Sequence, residues 1–269
     1  IYTIDRKGVI SDSIERCYMR RVFVDKKFSI LRKRVKHSQK KVMDCIIADH
    51  NADICVLCGS SDDITREHII PQWAFESNAE KSLINKKNNQ STHYIKATVP
   101  ACRVCNSDLL GVFEYNLKKF LTEKRGEELT DYEYDCIIWW LQYMGFKLQL
   151  MDLRNRFLRY KGGDYIPFLA NFPVAMFWGN VDTTPGDVFR IIRKSRRNLM
   201  SKWKDKKHNS LMVFETSNKS FHFFHKVDEF IFIEIPQVKK AFFFFFNKEF
   251  DSHDLAHEEC MKIIEKCYN

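Results

Sequence analysis

No apolar run in this 269-residue chain comes near the roughly 20 residues that a membrane-spanning helix needs; a run such as Ala241 to Phe246 is far too short. The first residues show neither an apolar stretch nor the small-residue cleavage site of a secretory signal, so a soluble, cytoplasmic protein with no membrane partner is expected. Proline (6) and glycine (9) are few and nowhere gathered into a linker, and no internal repeat is present. Cysteine numbers 9, an odd count, and a chain of this length does not depend on covalent staples, which argues against a disulfide scaffold. Disorder is excluded as well, because 45% hydrophobic against 29% charged residues is enough to fold around a core.

The charge that is present is unevenly placed. The chain carries +9 overall, yet residues 1–50 hold 13 Lys/Arg against 6 Asp/Glu, and residues 190–207 hold 9 against 1. The remainder is mildly acidic. Clustered positive charge is the footprint expected for a polyphosphate partner, since each neutralised phosphate releases counterions. A solvated lysine-rich surface is the plainer account of the same charge.

Hydrophobic periodicity divides the chain into three segments. Residues 1–51 read as a basic helical N-terminal segment, in which Ser29 caps apolar positions at helical intervals, among them Leu31, Val35, Val42 and Ile46. Residues 52–122 read as a compact module. In it a strand from Ile64 to Ile70 is stopped by Pro71, a polar excursion runs from Ser77 to Thr92, a second strand from Tyr94 to Val99 leads into Pro100, and a helix starts at Asn106. Residues 123–269 read as an α+β C-terminal unit: a long apolar helix over 131–160, a basic helix over 187–203, antiparallel strands over 211–246 and a terminal amphipathic helix. The consecutive phenylalanines from Phe242 to Phe246 mark the last strand as central or covered on both faces.

Cysteine spacing carries the strongest chemical signal. Cys55 and Cys58 form one C-x-x-C and Cys102 and Cys105 a second, separated by 43 residues. Each pair can offer two thiolates from one knuckle, and four thiolates surround Zn²⁺ tetrahedrally with no position left open. Such a zinc is structural, and it does no catalysis. Gly59 after the first pair suits the positive φ of a tight knuckle. A redox role is disfavoured, because two copies flanking a polar loop do not make a βαβ active site.

Between the two pairs lies Glu67-His68-Ile69-Ile70-Pro71, and Asn106 follows the last cysteine. In this order and spacing the segment resembles the zinc-stabilised branch of the HNH endonuclease family, over about 60 residues of the chain. The resemblance implies an α+β fold with a ββα-metal (HNH, treble-clef-like) zinc module, flanked here by the basic N-terminal helix and the C-terminal α+β unit. It implies a metal-dependent endonuclease that hydrolyses phosphodiester bonds, with DNA favoured over RNA, in settings such as restriction or anti-phage defence. His68 takes the family's role of general base, and Glu67 and Asn106 are family-type oxygen ligands of a catalytic Mg²⁺ or Mn²⁺. Glu114, two helical turns beyond Asn106, is either a further ligand or brace or a plain surface glutamate, and Arg66 and Arg103 are either holders of phosphate or ordinary surface charge.

The chain departs from the family at one position. The middle Asn that braces the His-bearing loop usually lies about five residues before the third cysteine, where this chain has Ala97; Asn85, Asn88, Asn89 and His93 lie further upstream. That departure supports the rival reading, a zinc-knuckle module that binds nucleic acid or protein without cutting. Trp73 reads as core, and His208, His222, His225, His253 and His257 show no ligand spacing. A homodimer, or a partner protein docked on the C-terminal unit, completes the expectations.

Overall fold

The computed structural model describes residues 12–49, 51–78, 81–84, 91–123, 128–154, 190, 193–194, 196–197, 208–226 and 229–268. Among them no helix is long and apolar enough to cross a membrane. Helix α1 spans Asp12–Ala48. No Gly or Pro interrupts that stretch, so nothing stops the helix from starting well ahead of Ser29. Ser29 lies exposed inside the helix and is not its cap.

The cysteine pairs bracket an antiparallel ribbon. Strand β1 (Ile64–His68) pairs with β4 (Thr98–Cys102), Ile64 facing Cys102 and His68 facing Thr98. The excursion between them carries a short helix α2 (Gln72–Phe75) and a hairpin of β2 (Ser82–Ile84) with β3 (Ser91–His93). The second ribbon strand starts later than its sequence pattern suggests: Tyr94–Lys96 is a 3-10 turn, and β4 runs through Pro100. A ribbon of two strands is all edge, so the missing proline N–H costs no ladder bond on a covered side. The Pro100 carbonyl instead accepts Val56 N–H at 3.0 Å and ties the first knuckle to β4.

Beyond Cys102 the chain turns into a wide π-helical segment (Val104–Gly111) that continues as α3 (Val112–Glu123). Helix α4 (Asp131–Arg154) is buried at every residue from Asp135 to Met151, as befits a helix apolar on all sides. The expected continuation to residue 160 lies outside the described residues. So does most of the expected basic helix over 187–203, of which Arg190, Arg193, Lys194, Arg196 and Arg197 are described and helical.

Four antiparallel strands follow, β5 (Leu211–Glu215), β6 (His222–Lys226), β7 (Phe230–Ile235) and β8 (Lys240–Phe245), in the order β5-β8-β7-β6. The run from Phe221 to Ile235 is therefore two strands, with Glu229 N–H returning to the Lys226 carbonyl. Both faces of the sheet are covered, which is why β7 and β8 are nearly continuous apolar runs. Ile231, Ile233, Phe242 and Phe244 join a core that also takes in Phe28 and Leu31 of α1, the finger and α4. Phe230, Phe232, Phe243 and Phe245 face α5 (His253–Tyr268) through Ala256 and Cys260. The one acid in β7, Glu234, is buried and held by Thr216, His222 Nδ1 (2.7 Å) and Tyr268 Oη (2.6 Å), so Glu234 ties the end of α5 to the sheet.

Where α4 crosses the sheet, Gly145 is required by space. A Cβ there would lie 2.7 Å from Phe246 Cζ. Gly145→Ala gains about 1 kcal/mol of helix propensity but forces the ring aside at a cost of roughly 1–3 kcal/mol. The expected result is a lower thermal midpoint, measured by a melt followed at 222 nm, the usual helix wavelength.

Candidate functional site

The local chain path forms the cysteine cluster. Gly59 adopts φ 69°, Gly59 N–H bonds the Cys55 carbonyl at 2.8 Å, and Cys55 N–H bonds the Ser60 carbonyl at 2.7 Å, closing a tight knuckle. Cys102 ends β4 and Cys105 opens the π-helical segment. The four sulfurs lie within 4.8 Å of one another, with Cys58 Sγ and Cys102 Sγ 3.6 Å apart. Zn–S bonds of about 2.3 Å place sulfurs about 3.8 Å apart in a tetrahedron. The cluster fits a structural zinc. Hydrogen bonds from Cys105 and Cys55 pull the Cys58 thiol down, while the contacts with Cys55 and Cys58 push Cys105 up, so the sulfurs titrate as one group.

Arg34, from α1, reaches into this cluster. Its Nη1 donates to Cys105 Sγ at 3.2 Å and lies 3.8 and 3.9 Å from the sulfurs of Cys58 and Cys102. The hydrogen bond to Cys105 raises its pKa further. Zinc with four thiolates would carry two negative charges, and Arg34 would offset one of them. No sequence signal separates Arg34 from its basic neighbours on α1.

Alternation along β1 separates the other expected residues. Thr65 and Glu67 share one face of the strand; Arg66 and His68 share the other. Glu67 is buried, and its Oε1 accepts Lys147 Nζ at 2.5 Å. The same ammonium donates to the His68 carbonyl at 2.7 Å and lies 3.9 Å from Glu114 Oε1. Lys147 comes from the middle of α4 and is 1% exposed. Glu114 is enclosed beside it, and burial pushes its carboxyl up to about 8. One ammonium thus sits between the Glu67 carboxylate and a Glu114 carboxyl that is mostly protonated at pH 7.

His68 is half-buried on the opposite face, near Gln72 Nε2 (3.3 Å) and hydrogen-bonded to the backbone of Ile95. Burial lowers its pKa, so the ring is neutral at pH 7. Asn106 donates from Nδ2 to Thr65 Oγ1 at 2.8 Å and to the Arg66 carbonyl at 3.4 Å. Glu67, His68 and Asn106 are therefore not gathered on one point. A hard divalent ion between Glu67 and Asn106 does not fit this placement, because the Glu67 carboxylate already holds an ammonium and the Asn106 amide is anchored on β1.

The remaining expected residues have plain positions. Arg103 forms an exposed two-point pair with Asp63, Nε–Oδ2 at 2.7 Å and Nη2–Oδ1 at 3.2 Å. Arg66 is exposed. Trp73 stacks on Trp140 in the core. His93 pairs with Ser82 in the β2–β3 hairpin, away from His68, and Asn85, Asn88 and Asn89 lie outside the described residues. Lys147, like Arg34, is a residue that sequence reasoning missed; its one signal is that it is the single cation in the apolar stretch 135–151 of α4. No family model, no curated protein and no solved structure matches the chain.

Proposed function

We propose that this chain is a zinc-clamped nuclease of the HNH type, whose ββα finger acts on the phosphodiester backbone of DNA. The observation that carries the reading is His68: a half-buried, neutral imidazole at the end of a ribbon that runs through a four-cysteine cluster into a helix. Such a group accepts a proton near neutral pH. Two further observations support it. Ile69 N–H bonds the Ala97 carbonyl at 2.9 Å, so the main chain braces the loop after His68 where the resembled family uses an Asn side chain. Arg66 projects from the same face of β1 as His68 and is free to meet a phosphate oxygen.

In this reading His68 takes a proton from water as the water oxygen bonds to phosphorus. The bond from phosphorus to the 3′ oxygen breaks, and that oxygen leaves with a proton from solvent. Cys55, Cys58, Cys102 and Cys105 would hold zinc, which supplies rigidity. No step passes through Mg²⁺ or Mn²⁺, since the acid face of β1 is occupied by Lys147. That same ion pair favours the second reading, a zinc-knuckle module that binds nucleic acid without cutting.

Plasmid nicking by the zinc-loaded protein in Mg²⁺, Mn²⁺ or EDTA separates the two. Nicking is expected from the wild type and a loss of about 10²–10⁴-fold from His68→Ala. Equal cutting by both proteins, or none under any condition, removes the nuclease reading. Competition with RNA settles the substrate.

A further inference from the structure

We infer that the cleft between α1 and the first cysteine knuckle is an anchoring groove for the phosphate backbone of duplex DNA, set apart from the place where the backbone is cut. This rests on the nucleic-acid reading above and is independent of cleavage. The cleft has a volume of about 570 Å³ and is lined by Lys33, Arg34, His37 and Lys41 on one side and by Cys58 and Gly59 on the other.

The arrangement follows from helix geometry. Residues 33, 37 and 41 stand four apart, so they form a stripe on one face of α1, one cationic or titratable group about every 6 Å. All are exposed. Gly59 lets this stripe close on the knuckle, because a Cβ there would meet Lys41 Cδ at 3.2 Å. The lysine stem lies against bare backbone while its ammonium stays in water. Arg34 is turned inward onto the sulfurs, which leaves Lys33 and Lys41 uncommitted at the rim. The acids nearby are Asp44 on α1 and Asp62, which is engaged by Ser60 Oγ at 3.1 Å. From 25 to 48, α1 carries eight Lys/Arg against two Asp.

Strand geometry separates groove from cut. The cysteine cluster sits at the Ile64–Cys102 end of the ribbon, and His68 is four residues along β1, about 13 Å at 3.3 Å per residue. That is about four phosphate steps of one strand at 3.4 Å of axis each. Groove and His68 are thus within the reach of one short duplex.

The test is fluorescence anisotropy of a labelled DNA duplex of about 20 base pairs, using zinc-loaded His68→Ala protein without added Mg²⁺ or Mn²⁺, over a salt series. Lys33→Glu/Lys41→Glu is compared with Lys219→Glu/Lys262→Glu, an equal charge reversal at exposed positions of the C-terminal part. The groove variant is expected to bind at least about 10-fold more weakly and to lose about 2 from the slope of log K against log salt, as two lost phosphate contacts require. The control variant is expected to stay within about 3-fold of the parent with its slope intact. A groove variant that binds like its parent, or a control that loses as much, overturns the groove while leaving the nucleic-acid reading standing. Failure of the parent to bind any duplex removes both. Cutting by the wild type has no bearing on either outcome.

Discussion

Replacing Cys105 with serine is expected to abolish zinc binding and to lower the thermal midpoint by more than about 10 °C. Apparent binding energies of structural zinc run to roughly 10–16 kcal/mol, as large as the whole stability of a typical domain. Here the ligands are not confined to a surface loop. Cys55, Cys102 and Cys105 belong to the same buried cluster as Phe28, Leu31, Phe113 and Trp139, so loosening the knuckles opens the core that α1 and α4 share. Stripping the metal also leaves four thiols within 4.8 Å of each other with Arg34 aimed at them, an arrangement with little reason to persist. The measurement is metal content by mass spectrometry together with a thermal melt. Cys267→Ser, outside the cluster, serves as control and is expected to keep both values. One zinc per chain retained by Cys105→Ser at an unchanged midpoint would refute a four-sulfur site. A disulfide is no substitute explanation, since 3.6 Å between Cys58 and Cys102 sulfurs is far beyond the bond length of about 2.05 Å.

The cluster was legible in the sequence because its information is local. Two C-x-x-C spacings and a glycine for the knuckle are enough to bring two sulfurs together from each segment, and the ribbon then joins the segments. The buried state of α4 was legible for a similar reason: apolar residues on every side admit only a covered helix. What could not be read was pairing at a distance. Glu67 is answered by Lys147, 80 positions away, and no periodicity links a carboxylate on a ribbon to one lysine of a long helix. The start of α1 was misjudged because an apolar period marks where a helix packs, whereas its length follows from the lack of breakers. Pro100 misled in the opposite direction: a strong local stop signal loses its force on a strand whose outer edge has no neighbouring strand. Burial of Glu67 was also hidden, because strand alternation says that neighbours part company but does not say which face is inner.

Lys147→Met is expected to destabilise the protein by about 3–5 kcal/mol, the usual cost of removing one partner from a buried ion pair. Its ammonium is 1% exposed and its carboxylate partner 7%, so water cannot replace the missing charge without opening the space between α4 and the ribbon. Glu114 adds little to the loss near pH 7, since burial already pushes its carboxyl up to about 8 and, without Lys147 to draw it back, holds it protonated more firmly. Removing both charges reverses part of this. Glu67→Gln/Lys147→Met is expected to recover a coupling energy of about 1–3 kcal/mol, read from urea midpoints at a common slope. A near-neutral Lys147→Met would show that the pair is reached by solvent. The double variant still lacks a donor for the His68 carbonyl, so part of its stability returns while nicking, where the wild type nicks, stays depressed. The single variant carries a second signature. With the ammonium gone, the Glu67 carboxylate and the protonated Glu114 carboxyl face each other with no cation, and Mn²⁺, by displacing the Glu114 proton, is expected to raise the midpoint of Lys147→Met, most clearly at pH 8 and above, while leaving the wild type unmoved. A wild type equally stabilised by Mn²⁺ would mean that a divalent ion displaces Lys147 after all, and the acid face of β1 would then be a metal site.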